Sequence, residues 1–209
     1  MWDLDKIFDS ITAPEGTNSL SAKEINYALV HRNDINVVKM IDPTADGPWI
    51  AGGACLKWFD NSPIGDADID IFCANKNQAS ILIDKLHSKL QQVYKTENAT
   101  TFREYKGSKT WNIQVITKNY YSSLEEVVNS FDITVCEIGT DGDRWILGNQ
   151  FAKDFHSKTL RMKYPLQDSS VKRLLKYWVY GYRPVDGLIE DIINNPQSRW
   201  KFNPEEDYS

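Results

Sequence analysis

Apolar residues recur at helical spacing near both ends of this chain and alternate with polar ones through its middle. Residues 2–11 carry a weak helical pattern. Ser21-Ala22-Lys23-Glu24 has the form of a capping box, and Ile25, Ala28, Leu29, Val37, Val38 and Ile41 after it predict one interrupted helix or two short ones. Asp42-Pro43 and Asp46-Gly47-Pro48 then break the pattern. Residues 49–53 read as a strand end or turn, 54–59 as a short helix and 68–73 as a strand. Ile81, Leu82, Leu86 and Leu90 make the core-facing stripe of a helix that Asn77 would cap. Residues 93–97, 100–105 and 111–116 alternate as strands, with Lys106-Gly107-Ser108 turning the chain between the last two.

Further on, Ser122-x-x-Glu125 and Ser123-x-x-Glu126 both have capping-box form ahead of a short helix ending near Ser130. Residues 131–136 are strand-like. Thr140-Asp141-Gly142-Asp143 predicts a turn that leads into a hairpin strand at 144–147. A short helix over 149–156 and a short strand over 159–162 come next. Residues 169–182 form the clearest late helix, with Val171, Leu174, Leu175 and Trp178 on one side. Arg183-Pro184 stops it, and residues 186–194 make one more helix. The last dozen residues, with Trp200 and Phe202, read as a packed extended tail or a partly disordered one. This order predicts an α+β fold: a small mixed sheet flanked by helices, with a short helical C-terminal segment. It divides into a helical segment over 1–48 packed on the core, a core over 49–165, and a C-terminal helical segment and tail over 166–209.

Composition narrows the class. With 209 residues, 41% hydrophobic and 25% charged, the chain is an ordinary globular one, long enough for a real core. No apolar run approaches the roughly 18–20 residues that span a membrane. The first residues lack the pattern of a signal peptide. Cys55, Cys73 and Cys136 are an odd number without CxxC spacing, which predicts buried free thiols in a reducing, cytoplasmic setting. His31, His87 and His156 are scattered and make no zinc-type cluster. The net charge of −5 does not suit a protein that coats nucleic acid. The charge is uneven, however: residues 153–183 carry eight basic side chains against two acidic, and 184–209 carry two against six. That basic stretch reads as a phosphate-binding patch or as a solvated face balanced by an acidic tail.

The chemistry concentrates in residues 49–72. An apolar run enters Gly52-Gly53, and about fifteen residues later Asp66, Asp68 and Asp70 are separated by single residues. Side chains two apart on a strand share a face, so Asp68 and Asp70 lie close together, a costly arrangement unless a cation joins them. Mg²⁺ takes one or two carboxylates plus phosphate oxygens and water. The glycines let the backbone approach a phosphate chain. The pattern therefore suits attack of a hydroxyl on the α-phosphate of a nucleoside triphosphate, with Asp68 and Asp70 holding Mg²⁺ or Mn²⁺. The competing reading makes the three aspartates the outer face of an edge strand.

Gly52-Gly53 followed by Asp68-Ile69-Asp70-Ile71 resembles the signature of the polymerase-β-type nucleotidyltransferase superfamily. The segment from Phe131-Asp132-Ile133-Thr134 to Ile138, with Asp141-Gly142, is similar to the R-R-D-F-T-I-N-A motif of bacterial CCA-adding tRNA nucleotidyltransferases and poly(A) polymerases. Asp154-Phe155-His156-Ser157-Lys158-Thr159-Leu160-Arg161 is similar to that family's D-L-x-x-K-x-I-R segment, and Ser169 to Lys176 falls where its nucleotide-reading helix would be. The resemblance covers roughly residues 49–182 and implies a catalytic head domain with two Mg²⁺ ions and a nucleoside triphosphate substrate. It implies Asp132 as a third catalytic carboxylate, with Gln114 on a neighbouring strand or Asp66 as other occupants of that place. It also implies nucleotide contacts from Gly52, Gly53, Lys57, Lys172, Arg173 and Lys176. The sequence departs from the family where Leu56 and Lys57 replace an arginine and an aspartate, where Ser130 and Phe131 replace two arginines, and where Ser169 and Ser170 replace two acids. The family's large tRNA-holding domains have no counterpart here.

The resulting expectation is a Mg²⁺-dependent nucleotidyltransferase that moves an NMP from an NTP to a hydroxyl of RNA, a protein or a small molecule. The alternative is a catalytically inactive nucleotide- or RNA-binding or protein-interaction module on the same fold. A protein partner that supplies acceptor binding is a third reading. Tyr177, Trp178, Tyr180 and Tyr182 interleave with Lys176 and Arg183 and serve either base stacking or core packing.

Overall fold

The computed structural model describes residues 18–20, 34–62, 64, 67–106, 109–163 and 170–194. The helix expected over 2–11, the capping box at 21–24, Asp66, Ser169 and the tail lie outside the described residues. Two compact units divide the chain. The first takes the described residues up to 131 together with 136–149, and the second takes 132–135 together with those from 150 onward.

The first unit is built on an eight-stranded mixed sheet. Its strands are β1 (Asn18–Leu20), β2 (Trp49–Ala51), β3 (Ile69–Phe72), β4 (Gln91–Lys95), β5 (Ala99–Lys106), β6 (Lys109–Ile116), β7 (Ile138–Thr140) and β8 (Trp145–Leu147). Their spatial order is β1-β8-β7-β2-β3-β6-β5-β4. Neighbours run antiparallel except β3 and β6, which are parallel. The helices of this unit are α1 (Ile35–Ile41), α2 (Gly53–Phe59), α3 (Lys76–His87) and α4 (Leu124–Ser130). This is the α+β arrangement the sequence predicts.

Alternation along the central strands sorts the side chains. Ile69, Ile71, Phe102, Ile113 and Val115 are fully buried on one face, where α3 packs on β5 and β6. On the other face Trp49, Ala51, Phe72 and Ile146 form a cluster with Leu124, Val127 and Val128 of α4. Burying one such large apolar side chain contributes about 1.5–3 kcal/mol. A buried carboxylate ties the first face together. Asp34 accepts from the indole N–H of Trp58 on α2 at 3.0 Å and from that of Trp111 on β6 at 2.7 Å.

Two sequence expectations are corrected in this region and the next. Asn75, not Asn77, caps α3: its backbone is extended and its side-chain oxygen accepts from Gln78 N at 2.9 Å. Gln78 Oε1 in turn accepts from Ala74 N at 2.8 Å, one residue before the cap. The capping box before α4 is the one at Ser123, which accepts from Glu126 N. Ser122 adds its own amide and hydroxyl to Glu126, holding that carboxyl below its usual range.

Residues 131–136 do not make a strand. Ile133 forms an isolated bridge with Met162, and Thr134–Cys136 is a 3-10 turn. Thr134 donates to Asp154 at 2.6 Å and its amide donates to Arg161 O at 3.1 Å, so side-chain and turn bonds replace a ladder. The second unit further contains α5 (Phe151–His156), β9 (Thr159–Leu160), α6 (Ser170–Val179), β10 (Arg183–Pro184) and α7 (Leu188–Asn194). β9 and β10 pair in parallel. Among the described residues no helix is long and apolar enough to cross a membrane.

Candidate functional site

The glycine turn comes first. Gly52 links β2 to α2 with φ 86° and ψ −139°, a conformation open to glycine almost alone. Its amide donates to Ile138 O at 2.8 Å. A Cβ built on Gly52 would lie 3.0 Å from the Phe131 ring and 3.9 Å from Asp70 Oδ2. Gly52 therefore serves both the turn and the close approach of Phe131, and it stands directly beside Asp70. Gly53 is half-buried and opens α2; Lys57 is half-buried in the last turn of the same helix.

Asp70 lies inside β3, in register with Ala51 on β2 and with Gln114 on β6. Asp68 comes just before the strand; both carboxylates are half-buried and alternate with the buried Ala67 and Ile69. Cys55 on α2 is buried against this strand, and burial together with the Asp70 charge pushes its thiol well up from the ordinary value. Two carboxylates on one face match what a single Mg²⁺ takes from protein when phosphate oxygens and water complete its shell. The register position beside them is a neutral amide. Among the described residues no group of three or more Asp, Glu, His or Cys could hold a metal.

Beyond Gln114 the same face continues outward. Thr101 on β5 is the register partner of Gln114, and Tyr94 on β4 is the partner of Thr101. Arg103 and Asn112 form the next pair, with Arg103 Nε donating to Asn112 Oδ1 at 3.0 Å. Sequence reasoning missed these residues, because only the β5–β6 register brings them to the carboxylate strand.

The other candidates belong to the second unit. Asp132 is ion-paired with Arg173 of α6, and its carbonyl accepts from Lys163 N. Asp154 is buried and accepts from Thr134 and, at 3.2 Å, from Arg161 Nε. Lys158 Nζ stands 4.5 Å from the Phe155 ring centroid and 4.9 Å from that of Tyr182, a cation–π arrangement. The Asp132–Arg173 ion pair and the Thr134–Asp154 hydrogen bond thus join the three segments picked out by motif to one another. Lys172 and Lys176 are exposed on α6, one helical turn apart. Tyr177 is buried with its ring edge-on to Tyr180 and Tyr182, so these aromatics pack the unit's core.

The fold is similar to that of CCA-adding enzymes of the polymerase-β-type nucleotidyltransferase fold. A CCA-adding enzyme solved in complex with ATP matches 80% of this chain and 44% of its own, at 14% identity and a TM-score of 0.58. The Thermotoga maritima CCA-adding enzyme complexed with tRNA matches 82% of this chain and 44% of its own, at 14% identity and a TM-score of 0.57. The likeness is one of fold. By sequence, residues 24–158 match the model of the Gabija anti-defense 2 family, and the chain belongs to that family. A relative described as Gabija anti-defense 2, from Bacillus phage SPbetaL7, is 36% identical over 87 residues, which are 42% of this chain. The match spans 20% of that relative's length.

Proposed function

We propose that this chain counters a Gabija defence as a nucleotide-binding module on a nucleotidyltransferase fold, without nucleotidyl transfer. The observation that carries this reading is Gln114 in register with Asp70, an amide where a third carboxylate would complete a two-metal site. Asp68 and Asp70 hold one Mg²⁺ with the phosphates of a nucleoside triphosphate. The ion supplies charge neutralisation there. Gly52 and Gly53 give the phosphates access to backbone, and Lys57 adds a positive charge on α2. The second unit, taken by itself, carries the basic side chains Lys172, Arg173 and Lys176 as phosphate-binding candidates of its own, with Asp132 orienting Arg173. The family membership supports the anti-defence role.

A second reading, transfer of an NMP to RNA, a protein or a small molecule, is favoured by the retention of both Asp68 and Asp70 on one face. The test of the main reading is equilibrium binding of each MgNTP, run beside plaque formation on cells carrying a Gabija defence. MgNTP binding that Asp68→Ala/Asp70→Ala removes together with the anti-defence effect supports it. Full protection by that variant, or no binding of any NTP, refutes it and leaves a protein-contact role.

A further inference from the structure

The sheet of the first unit is covered unevenly. On one face α4 closes the part made by β2, β7 and β8, where a Cβ on Gly139 would meet Leu124 at 2.8 Å. The β3–β6–β5–β4 part of that face instead carries Asp70, Gln114, Thr101, Asn112 and Arg103. Two large aromatic side chains flank them: Tyr94 is 65% exposed and Tyr105 is 60% exposed. Tyr105 lies on the face of Thr101 and Arg103 by strand alternation, and Tyr94 joins it through its pairing with Thr101. Four residues of strand and one strand spacing separate the tyrosines, about 14 Å.

We propose that this surface binds single-stranded RNA running toward Asp70. Its parts match that polymer. Exposed aromatics on a sheet are stacking platforms for unpaired bases. Among the described residues no carboxylate pairs with Arg103, whose Nε bond to Asn112 fixes the guanidinium and leaves its terminal nitrogens for phosphate. Asn112 and Gln114, each half-buried, both donate and accept, as a ribose 2′-hydroxyl requires. Glu104 alternates to the opposite face, paired with Trp111. Residues 91–118 carry five basic side chains against two acidic, on a chain whose net charge is −5. Between the tyrosines the face offers no aliphatic anchor of the kind that centres protein–protein contacts. The inference rests on the nucleotide reading for its direction and adds the polymer and its path.

The test is fluorescence anisotropy with a fluorescein-labelled single-stranded RNA of mixed sequence and the DNA of the same sequence, beside MgATP binding to the same samples. Wild type is expected to bind RNA more tightly than DNA. Tyr94→Ala/Tyr105→Ala is expected to weaken RNA binding about tenfold or more, and Tyr94→Phe/Tyr105→Phe to restore it. Arg103→Ala is expected to weaken binding and flatten its salt dependence. Both replaced tyrosines are solvent-exposed, and circular dichroism melts verify folding. MgATP binding without RNA binding overturns this inference and leaves the nucleotide reading standing; RNA binding without MgATP does the reverse. Equal affinity in the alanine variant, or preference for DNA, overturns the RNA assignment. Loss of contact with a Gabija protein in the alanine variant, with RNA binding unchanged, assigns the face to protein instead.

Discussion

Asp70 on β3 and Gln114 on β6 are register partners in a parallel pair, so a carboxylate and an amide stand side by side on one face. On the proposed reading Asp70 belongs to the strand that would hold the metal, and its register neighbour carries no charge. Placing a charge there should show. Gln114→Asp sets a third carboxylate in register with Asp70 and is expected to tighten Mn²⁺ binding about tenfold, roughly 1.4 kcal/mol. Isothermal titration or Mn²⁺ electron paramagnetic resonance reads the change; an unaltered affinity would mean the register pair does not face the metal.

Gly52 should tolerate no side chain. Its backbone is one that glycine alone adopts readily, and a Cβ presses on Phe131. Gly52→Ala is expected to destabilise the first unit by about 1–3 kcal/mol, read as a lowered urea midpoint. A variant as stable as wild type would contradict the turn described.

Asp34 accepts from two indoles far away in sequence, at separations of 24 and 77 residues. Asp34→Ala leaves two buried N–H groups without an acceptor, at about 1–3 kcal/mol for each. Asp34→Asn keeps one acceptor oxygen and should lose less. Urea titration followed by tryptophan fluorescence checks both variants, and equal losses would argue against the paired bonds.

Part of the candidate site's arrangement was legible locally. The period of two around Asp68 and Asp70, and a double glycine ending an apolar run, are short-range signals. The structure puts the turn and the strand side by side, with Asp70 next to Gly52. What the sequence hid depends on contacts between distant segments. Thr134 has a strand-forming neighbourhood, yet its bonds to Asp154 and Arg161 O turn that stretch into a bridge and a 3-10 turn. The choice of Asn75 over Asn77 as cap goes with Gln78, whose amide bonds Asn75 and whose side chain holds Ala74 N, a pairing as local as any but masked by two asparagines of equal propensity. Arg103 and Asn112 meet only through the hairpin register. The pairing of Asp132 with Arg173, 41 residues apart, is likewise invisible to spacing.

Burial also sets a pH dependence. All three cysteines are buried free thiols, and burial pushes Cys73 up to about 12. A thiol raised in the folded state holds its proton while the unfolded chain loses it, so the stability it contributes is complete below the ordinary thiol value. That stability should decline as pH rises from there through about 12. Urea midpoints for wild type are expected to fall more steeply with alkaline pH than those of Cys73→Ala; parallel slopes would refute the effect.

The most direct test is label transfer. The protein is incubated with each α-labelled NTP, Mg²⁺ or Mn²⁺ and mixed RNA, then resolved on native and on denaturing gels beside Asp68→Ala/Asp70→Ala. The account predicts label retained under native conditions by wild type alone and released as unchanged NTP on denaturation. Label joined to RNA, protein or a small molecule by wild type, and absent from the double variant, would contradict it and establish a working nucleotidyltransferase.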